Sequence, residues 1–317
     1  MTTQPTYPVY VISKGRAEIC STAQFLRADG VDFKLVVEPQ EADEYAAQFG
    51  AETLLILPFS NLGLGGIPAR NWVWEHAESA GHKRHWILDD NIRHVTRLFK
   101  NKRVVTQAGP AFKLIEDFID RYTNIGIAGM NYTMFVGMNS APPFVANVHV
   151  YSCLLIDNDL PFRWRGRYNE DTDLNLQVLS AGLCTVLFNA VSIQKIKSMT
   201  MKGGNTDELY KGDGRLRMAR SLEEAWPYIV TTQRRYDRPQ HVVRGNWRRF
   251  DTPLERRTDI DWNALEAGGP NNYGMKLAQI GEIRSPRIRA LLDEGTPDEQ
   301  DARDQIARHG GRRFPRL

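Results

Sequence analysis

The sequence predicts an α/β protein: a single Rossmann-like, mainly parallel sheet with helices on both faces, followed by a basic C-terminal extension. Two observations carry this prediction. Apolar, strand-like runs alternate with helix-like segments through the first ninety residues, the pattern of βα units. One of those runs, "HWILDDNI" (85–92), breaks directly into paired carboxylates, Asp89 and Asp90. Open α/β sheets place their ligand-binding groups at such strand ends.

The elements follow in order. "YPVYVIS" (7–13) reads as a strand, and "GRAEICSTAQFLRADG" (15–30) as a helix closed by Gly30. "DFKLVVEP" (32–39) is a second strand and "EADEYAAQFG" (41–50) a second helix. "ETLLILP" (52–58), "ARNWVWEHAESAG" (69–81) and "HWILDDN" give a third strand, a third helix and a fourth strand. "AFKLIEDFIDRYTN" (111–124) is an amphipathic helix, and "IGIAGMNY" (125–132) a strand. "NVHVYSCLLID" (147–157) reads as a longer central strand, "NEDTDLNLQVLSAG" (169–182) as a helix and "CTVLFNAV" (184–191) as another strand. Beyond residue 195 periodicity fades into Gly, Arg and Trp, and the charged tail carries a helical pattern near 297–309.

With 317 residues, 42% hydrophobic and 25% charged, the chain has the composition of a globular protein with a packed core. Its net charge of +3 is small, but fourteen Lys/Arg against eight Asp/Glu in residues 197–257 suit a polyanion. Three scattered cysteines lack metal-ligand spacing and read as reduced, packed thiols. No stretch approaches the ~20 apolar residues of a membrane span, and the first residues lack the form of a signal peptide. The expected location is the cytoplasm, or the host cytoplasm if the chain is phage-encoded.

Two like charges ending an apolar strand cost several kcal/mol unless something pairs them. One Asp could cap the next turn, but two are better explained by a divalent cation such as Mn²⁺ or Mg²⁺, which favours carboxylate oxygens. "NLGLGGIPARN" (61–71) is a Gly-rich loop entering a helix, which suits close approach to phosphate or sugar. Ser13 to Arg16, Glu38 and Asp89 to Asn91 all fall at strand ends and are expected to converge. Glu170, Asp171 and Asp173 open a helix, where acids also serve simply to offset the macrodipole. "RRYDRPQHVVRGNWRRFDTPLERR" (234–257) sets eight Arg against three acids, with Tyr236, Trp247 and Phe250 interleaved. That mixture suits phosphate contacts with base stacking, or equally a solvated face over a few core aromatics.

In order along the chain, "VISKGRA", "VVEP", "LPFSNLGLGGIPARNWVWEHA", "WILDDNI", "RGRYNEDTDLNLQVL", "KGGN" and "WPYIVTTQRRYDRPQH" resemble the TET-associated glycosyltransferases, phage-type enzymes that glycosylate 5-hydroxymethylpyrimidines in DNA. The resemblance covers about residues 8–250 and implies the GT-A fold of inverting glycosyltransferases. It also implies a nucleotide-sugar donor, expected to be a UDP-sugar, held by Ser13, Lys14, Arg16, Glu38, Gly65, Arg70, Asn71, Asp89 and Lys202. Asp90, with Asp89, would hold the metal, and Asp171, beside Glu170, would deprotonate the acceptor hydroxyl. The acceptor would be DNA carrying hydroxymethylated pyrimidines, 5-hydroxymethylcytosine first, tracked by Arg234, Arg235, Arg248 and Arg249. One departure stands out: such enzymes often supply a late His to the metal, and none occurs between His149 and His241.

The expected organisation is a nucleotide-sugar-binding and catalytic domain over 1–200, a basic acceptor-side extension over 201–281 and a charged, partly helical tail over 282–317. Neither a membrane nor an obligate protein partner is expected. Rival readings are a GT-A enzyme acting on a polysaccharide, protein or small molecule, a nucleotidyltransferase, and a non-catalytic DNA-binding module.

Overall fold

The computed structural model describes residues 3–99, 102–137, 141–196, 214–235 and 237–268, without the side chain of Arg248. Residues to Arg256 form one compact unit and those from Arg257 a second. The first unit opens with β1 (Val9–Ile12), α1 (Ser21–Ala28), β2 (Lys34–Val37), α2 (Ala42–Phe49), β3 (Leu54–Ile56), α3 (Ile67–Ser79) and β4 (Arg84–Asp89). It continues through β5 (Ile92–Phe99), β6 (Lys102–Thr106), α4 (Ala108–Ile119), β7 (Ile125–Tyr132), β8 (Phe144–Ala146), β9 (Cys153–Asp157), α5 (Glu170–Ser180) and β10 (Cys184–Lys195). Then come α6 (Gly214–Ala225) and the hairpin β11 (Val230–Arg235) to β12 (Arg238–Val243). Of the second unit, α7 (Trp262–Ala267) is described, with Asp261 capping it by accepting from the Ala264 N–H.

Ten strands form one sheet in the order β3-β2-β1-β4-β9-β7-β10-β5-β6, with β8 also paired to β10. β1 to β4 run parallel, β9 is antiparallel to both β4 and β7, and β7 and β10 are parallel again. The sheet is therefore mixed but largely parallel in strand direction. Residue alternation along β4 puts the helices on both faces. Ile87 joins Val73 and Trp74 of α3 and Leu174 and Val178 of α5 in one core, while Trp86, pointing the other way, packs 4.7 Å from the Phe112 ring of α4.

Several expectations needed correction. The helix read over 15–30 is a 3-10 turn at Ala17–Ile19 followed by α1, broken at Cys20. Only the second half of 147–157 is strand. Asn147 and Ser152 take left-handed backbone (φ 57° and 61°), so 147–152 is a loop between two bends. Conversely, β5, β6 and the β11–β12 hairpin lie where no strand was expected, and β10 runs four residues past its predicted end. Where β9 enters the sheet it presses on β7 so closely that a Cβ on Gly129 would lie 2.2 Å from the Cys153 carbonyl oxygen. The helical pattern at 297–309 lies outside the described residues.

The strand directions decide which residues meet. The C-termini of β4, β7 and β10 lie on one edge, and antiparallel β9 begins there. Asp89, Tyr132, Ser152 and Lys195 therefore share that edge. Beyond α5, the α6–hairpin segment is fixed by Leu222, Val230 and Val243 packing on Leu176, with Trp226, Trp247 and Phe250 around them.

Candidate active site

At the end of β4 every carboxylate oxygen already has a donor. Asp90, buried, accepts from Arg16 Nη1 at 2.7 Å and Ser13 Oγ at 2.9 Å. Asp89, half-buried, accepts from Arg70 Nη2 at 2.9 Å and Lys195 Nζ at 2.6 Å. Their environments separate the two. Burial works to raise the Asp89 carboxyl, but Lys195 and then Arg70 bring it down to about 2. Burial raises Asp90 despite Arg16 and Ser13. The metal expected on this pair does not fit the residues as they stand: Arg16, Arg70 and Lys195 already neutralise the two carboxylates, and every oxygen accepts from a protein donor. Among the described residues no group of three or more His, Cys, Asp or Glu side chains is placed to hold one.

Lys195 was missed by the sequence reading, because the strand before it was ended at residue 191. An ammonium closing an apolar strand is the same signal as Asp89 closing β4. Its Nζ also lies 2.8 Å from Ser152 Oγ and 3.3 Å from the Tyr132 hydroxyl. Burial opposes its charge, yet Asp89 and Tyr132 hold its pKa well above the ordinary lysine value.

Arg70 is the central cation. The loop before α3 turns through Gly63 and Gly65, both at φ 67°, where a side chain would be strained. It delivers the helix so that the Arg70 guanidinium lies 3.6 Å from Glu170 Oε1 and 4.8 Å over the Trp164 ring. Its Nε and Nη1 are buried without any hydrogen-bond partner. Nε is the atom that faces Glu170, so Nη1 is the donor left unpaired, and such a charged donor is costly unless an anion visits it. Asn71, expected on the donor, instead ties α3 to Trp164: its amide donates to the Trp164 carbonyl at 2.8 Å and accepts from the Trp164 N–H at 3.0 Å.

The nucleotide-loop residues split into two groups. Ser13 and Arg16 surround Asp90 with Tyr45, whose hydroxyl lies 2.6 Å from Ser13 Oγ. Lys14 pairs with Glu38 at 3.0 Å and reaches Asn61 Oδ1 at 3.0 Å, bridging the ends of β1, β2 and β3. Lys202 lies outside the described residues.

At the start of α5 the three acids diverge. Asp173 is buried and consumed by Arg165, Gln177 and Trp226 Nε1, the last at 2.7 Å, so it holds α6 to the sheet domain. Burial raises the Glu170 carboxyl against the pull of Arg70. Burial would also raise Asp171, but His149, 3.5 Å away, and the Thr172 N–H at 2.7 Å hold it well below the carboxylate range. His149 was missed because the segment read as uninterrupted strand.

In the basic segment, Arg234, Arg235 and Arg249 are exposed, as are Arg238 and Arg244. Trp247 and Phe250 instead pack inward against the Leu222 cluster, and Trp247 stacks on His149 at 5.6 Å and 11°. Arginines outward over inward aromatics is the second of the two arrangements that the composition allowed. The side chains of Arg248 and Tyr236 lie outside the described residues.

The carboxyl edge of this largely parallel α/β sheet, where such folds bind their ligands, gathers arginine, lysine and carboxylates. The chain belongs to the TET-Associated Glycosyltransferase family, whose profile matches residues 7–204. It is a glycosyltransferase. No curated protein matches it. Among solved structures it is similar to a Desulfovibrio desulfuricans G20 protein assigned as a nucleotide-diphospho-sugar transferase, at 10% identity and TM-score 0.34, over 59% of this chain and 80% of that one. Among the described residues no helix is long and apolar enough to cross a membrane.

Proposed function

We propose that this chain carries a GT-A-type site that transfers a sugar, with inversion, from a UDP-sugar to the hydroxyl of 5-hydroxymethylcytosine or a related 5-hydroxymethylpyrimidine in DNA. The observation that carries the reading is Arg70, buried at the carboxyl edge with its Nη1 donor unspent, beside Lys195 and the acidic start of α5. A diphosphate would take that donor, and its charge would grow as the sugar departs. Lys195 would supply further positive charge there. Ser13, Lys14, Arg16, Glu38 and the Gly65 loop would enclose the nucleoside. No step is assigned to a divalent ion, because protein cations already neutralise Asp89 and Asp90.

The acidic start of α5, with Asp171, would help to activate the attacking hydroxyl, directly or through the histidine beside it. The exposed Arg234, Arg235, Arg238, Arg244 and Arg249 would track phosphates, with the donor site on 1–200. A DNA base would have to leave the stack to be reached, costing a few kcal/mol. The inward packing of Trp247 and Phe250 favours one second reading: the same donor site with a polysaccharide, protein or small-molecule acceptor. Mass spectrometry of hydroxymethylated DNA, incubated with the protein and UDP-glucose, UDP-N-acetylglucosamine or GDP-mannose, tests the proposal. A hexose mass on the base is the expected result; donor turnover without DNA product supports the second reading.

A further inference from the structure

His149 sits on the loop between the two bends at Asn147 and Ser152, and that loop is held rigidly. Asn175 clamps Val150 on both sides, donating to its carbonyl at 2.8 Å and accepting from its N–H at 3.0 Å. Thr185 Oγ1 donates to the Val148 carbonyl, and the Asn147 N–H to the Thr185 carbonyl. One ring face stacks on Trp247, and Tyr151 meets the ring at 5.1 Å. The Nε2 edge faces Asp171 Oδ2 at 3.5 Å and Thr172 Oγ1 at 3.3 Å. In the neutral tautomer that places its proton on Nε2, toward the carboxylate, Nδ1 keeps its lone pair. The described residues give Nδ1 no hydrogen-bond partner. The imidazole, one quarter exposed, is thus oriented, backed by a carboxylate and open at one nitrogen.

Resting on the transferase reading above, we propose that His149 is the catalytic base of this site and Asp171 its positioning residue. The acceptor O–H bond breaks, its electron pair forms the new bond to the anomeric carbon, and the proton passes to His149 Nδ1. The bond from that carbon to the diphosphate breaks, and its pair leaves on the diphosphate oxygen. Asp171 balances the resulting imidazolium and keeps the tautomer. Asp171 is poorly suited to take the proton directly. Thr172 N–H donates to one of its oxygens at 2.7 Å, and the His149 ring faces the other at 3.5 Å, so the imidazole stands between that oxygen and solvent on its side. The other charged or titratable groups facing this pair are Glu170 beside Asp171, Tyr151 against the imidazole, His241 of β12, whose buried Nδ1 lacks a partner, and Arg70 beyond Asp171.

The test is the pH profile of kcat/KM for transfer from UDP-glucose, or whichever nucleotide sugar turns over, to a 5-hydroxymethylcytosine oligonucleotide. Measured over roughly pH 5–8, wild type should lose activity toward the acid end, because a protonated base takes up no proton. His149→Gly should fall by ~10²–10⁴-fold and recover with added imidazole. Asp171→Gly should not recover with formate. UDP titration should leave donor affinity of both variants near that of wild type, which verifies their folding. A wild-type profile flat across that range overturns the proposal, as does a His149→Gln variant within about threefold of wild type. Formate rescue of Asp171→Gly, without imidazole rescue of His149→Gly, makes Asp171 the base. A wild type that transfers no sugar to any acceptor overturns the transferase reading and this assignment with it, whereas the other outcomes leave the reading standing.

Discussion

Replacing Arg70 by Met keeps the length of the side chain, and much of its packing on Trp164, while removing the fork and its charge. Two consequences follow in opposite assays. In the free protein Asp89 loses one of two cations and Glu170 loses its partner at 3.6 Å. Breaking a buried pair costs about 3–5 kcal/mol, and because Lys195 still holds Asp89 the lower end applies. The urea unfolding midpoint should fall accordingly. In donor binding, the guanidinium offers Nη1, which has no hydrogen-bond partner, while its Nε faces Glu170. A charge-assisted hydrogen bond is worth roughly 1.5–3 kcal/mol, so losing it weakens UDP binding by ~10–10²-fold. Arg70→Lys keeps the charge but not the fork, and should fall between. Calorimetric titration with UDP reads this directly. An Arg70→Met protein that is folded and binds UDP within about threefold of wild type would refute the reasoning, since the orphaned donor would then meet no phosphate.

Lys195→Met should also weaken UDP binding, and it should change the acid stability. Asp89 has a folded pKa lowered from 3.8 to about 2, so its pair stabilises fully above the unfolded value and is lost as pH falls through the folded one. Without Lys195 that loss should begin at higher pH in urea midpoints measured between pH 5 and 2. Because Arg16, Arg70 and Lys195 already neutralise Asp89 and Asp90, transfer in excess EDTA should stay within about threefold of untreated enzyme. Complete loss restored by Mn²⁺ would show an ion displacing Lys195. Replacing Arg234, Arg235, Arg248 and Arg249 together by Ala should flatten the salt dependence of DNA binding by a slope of roughly 3–4, near 0.9 per phosphate. An unchanged slope in gel-shift titrations would place DNA elsewhere or nowhere.

The sequence by itself determined the βα units from β1 to β4, the Gly-rich approach to α3, the paired acids closing β4 and the acidic start of α5. These are written in local periodicity and end signals, which need only neighbouring residues to be read. It did not determine strand direction. A run of apolar residues is equally buried parallel or antiparallel, so the reversal of β9 was illegible, as were the left-handed bends at Asn147 and Ser152 that free His149 from the sheet. Lys195 meets Asp89 across 106 residues, and Trp247 stacks on a histidine nearly a hundred residues earlier. Only the order β4-β9-β7-β10 brings the Lys195 ammonium to the carboxylate that a metal was expected to claim. Tertiary structure decided that exchange, because a buried charge takes whichever partner the folded edge sets beside it, and sequence spacing cannot measure that distance.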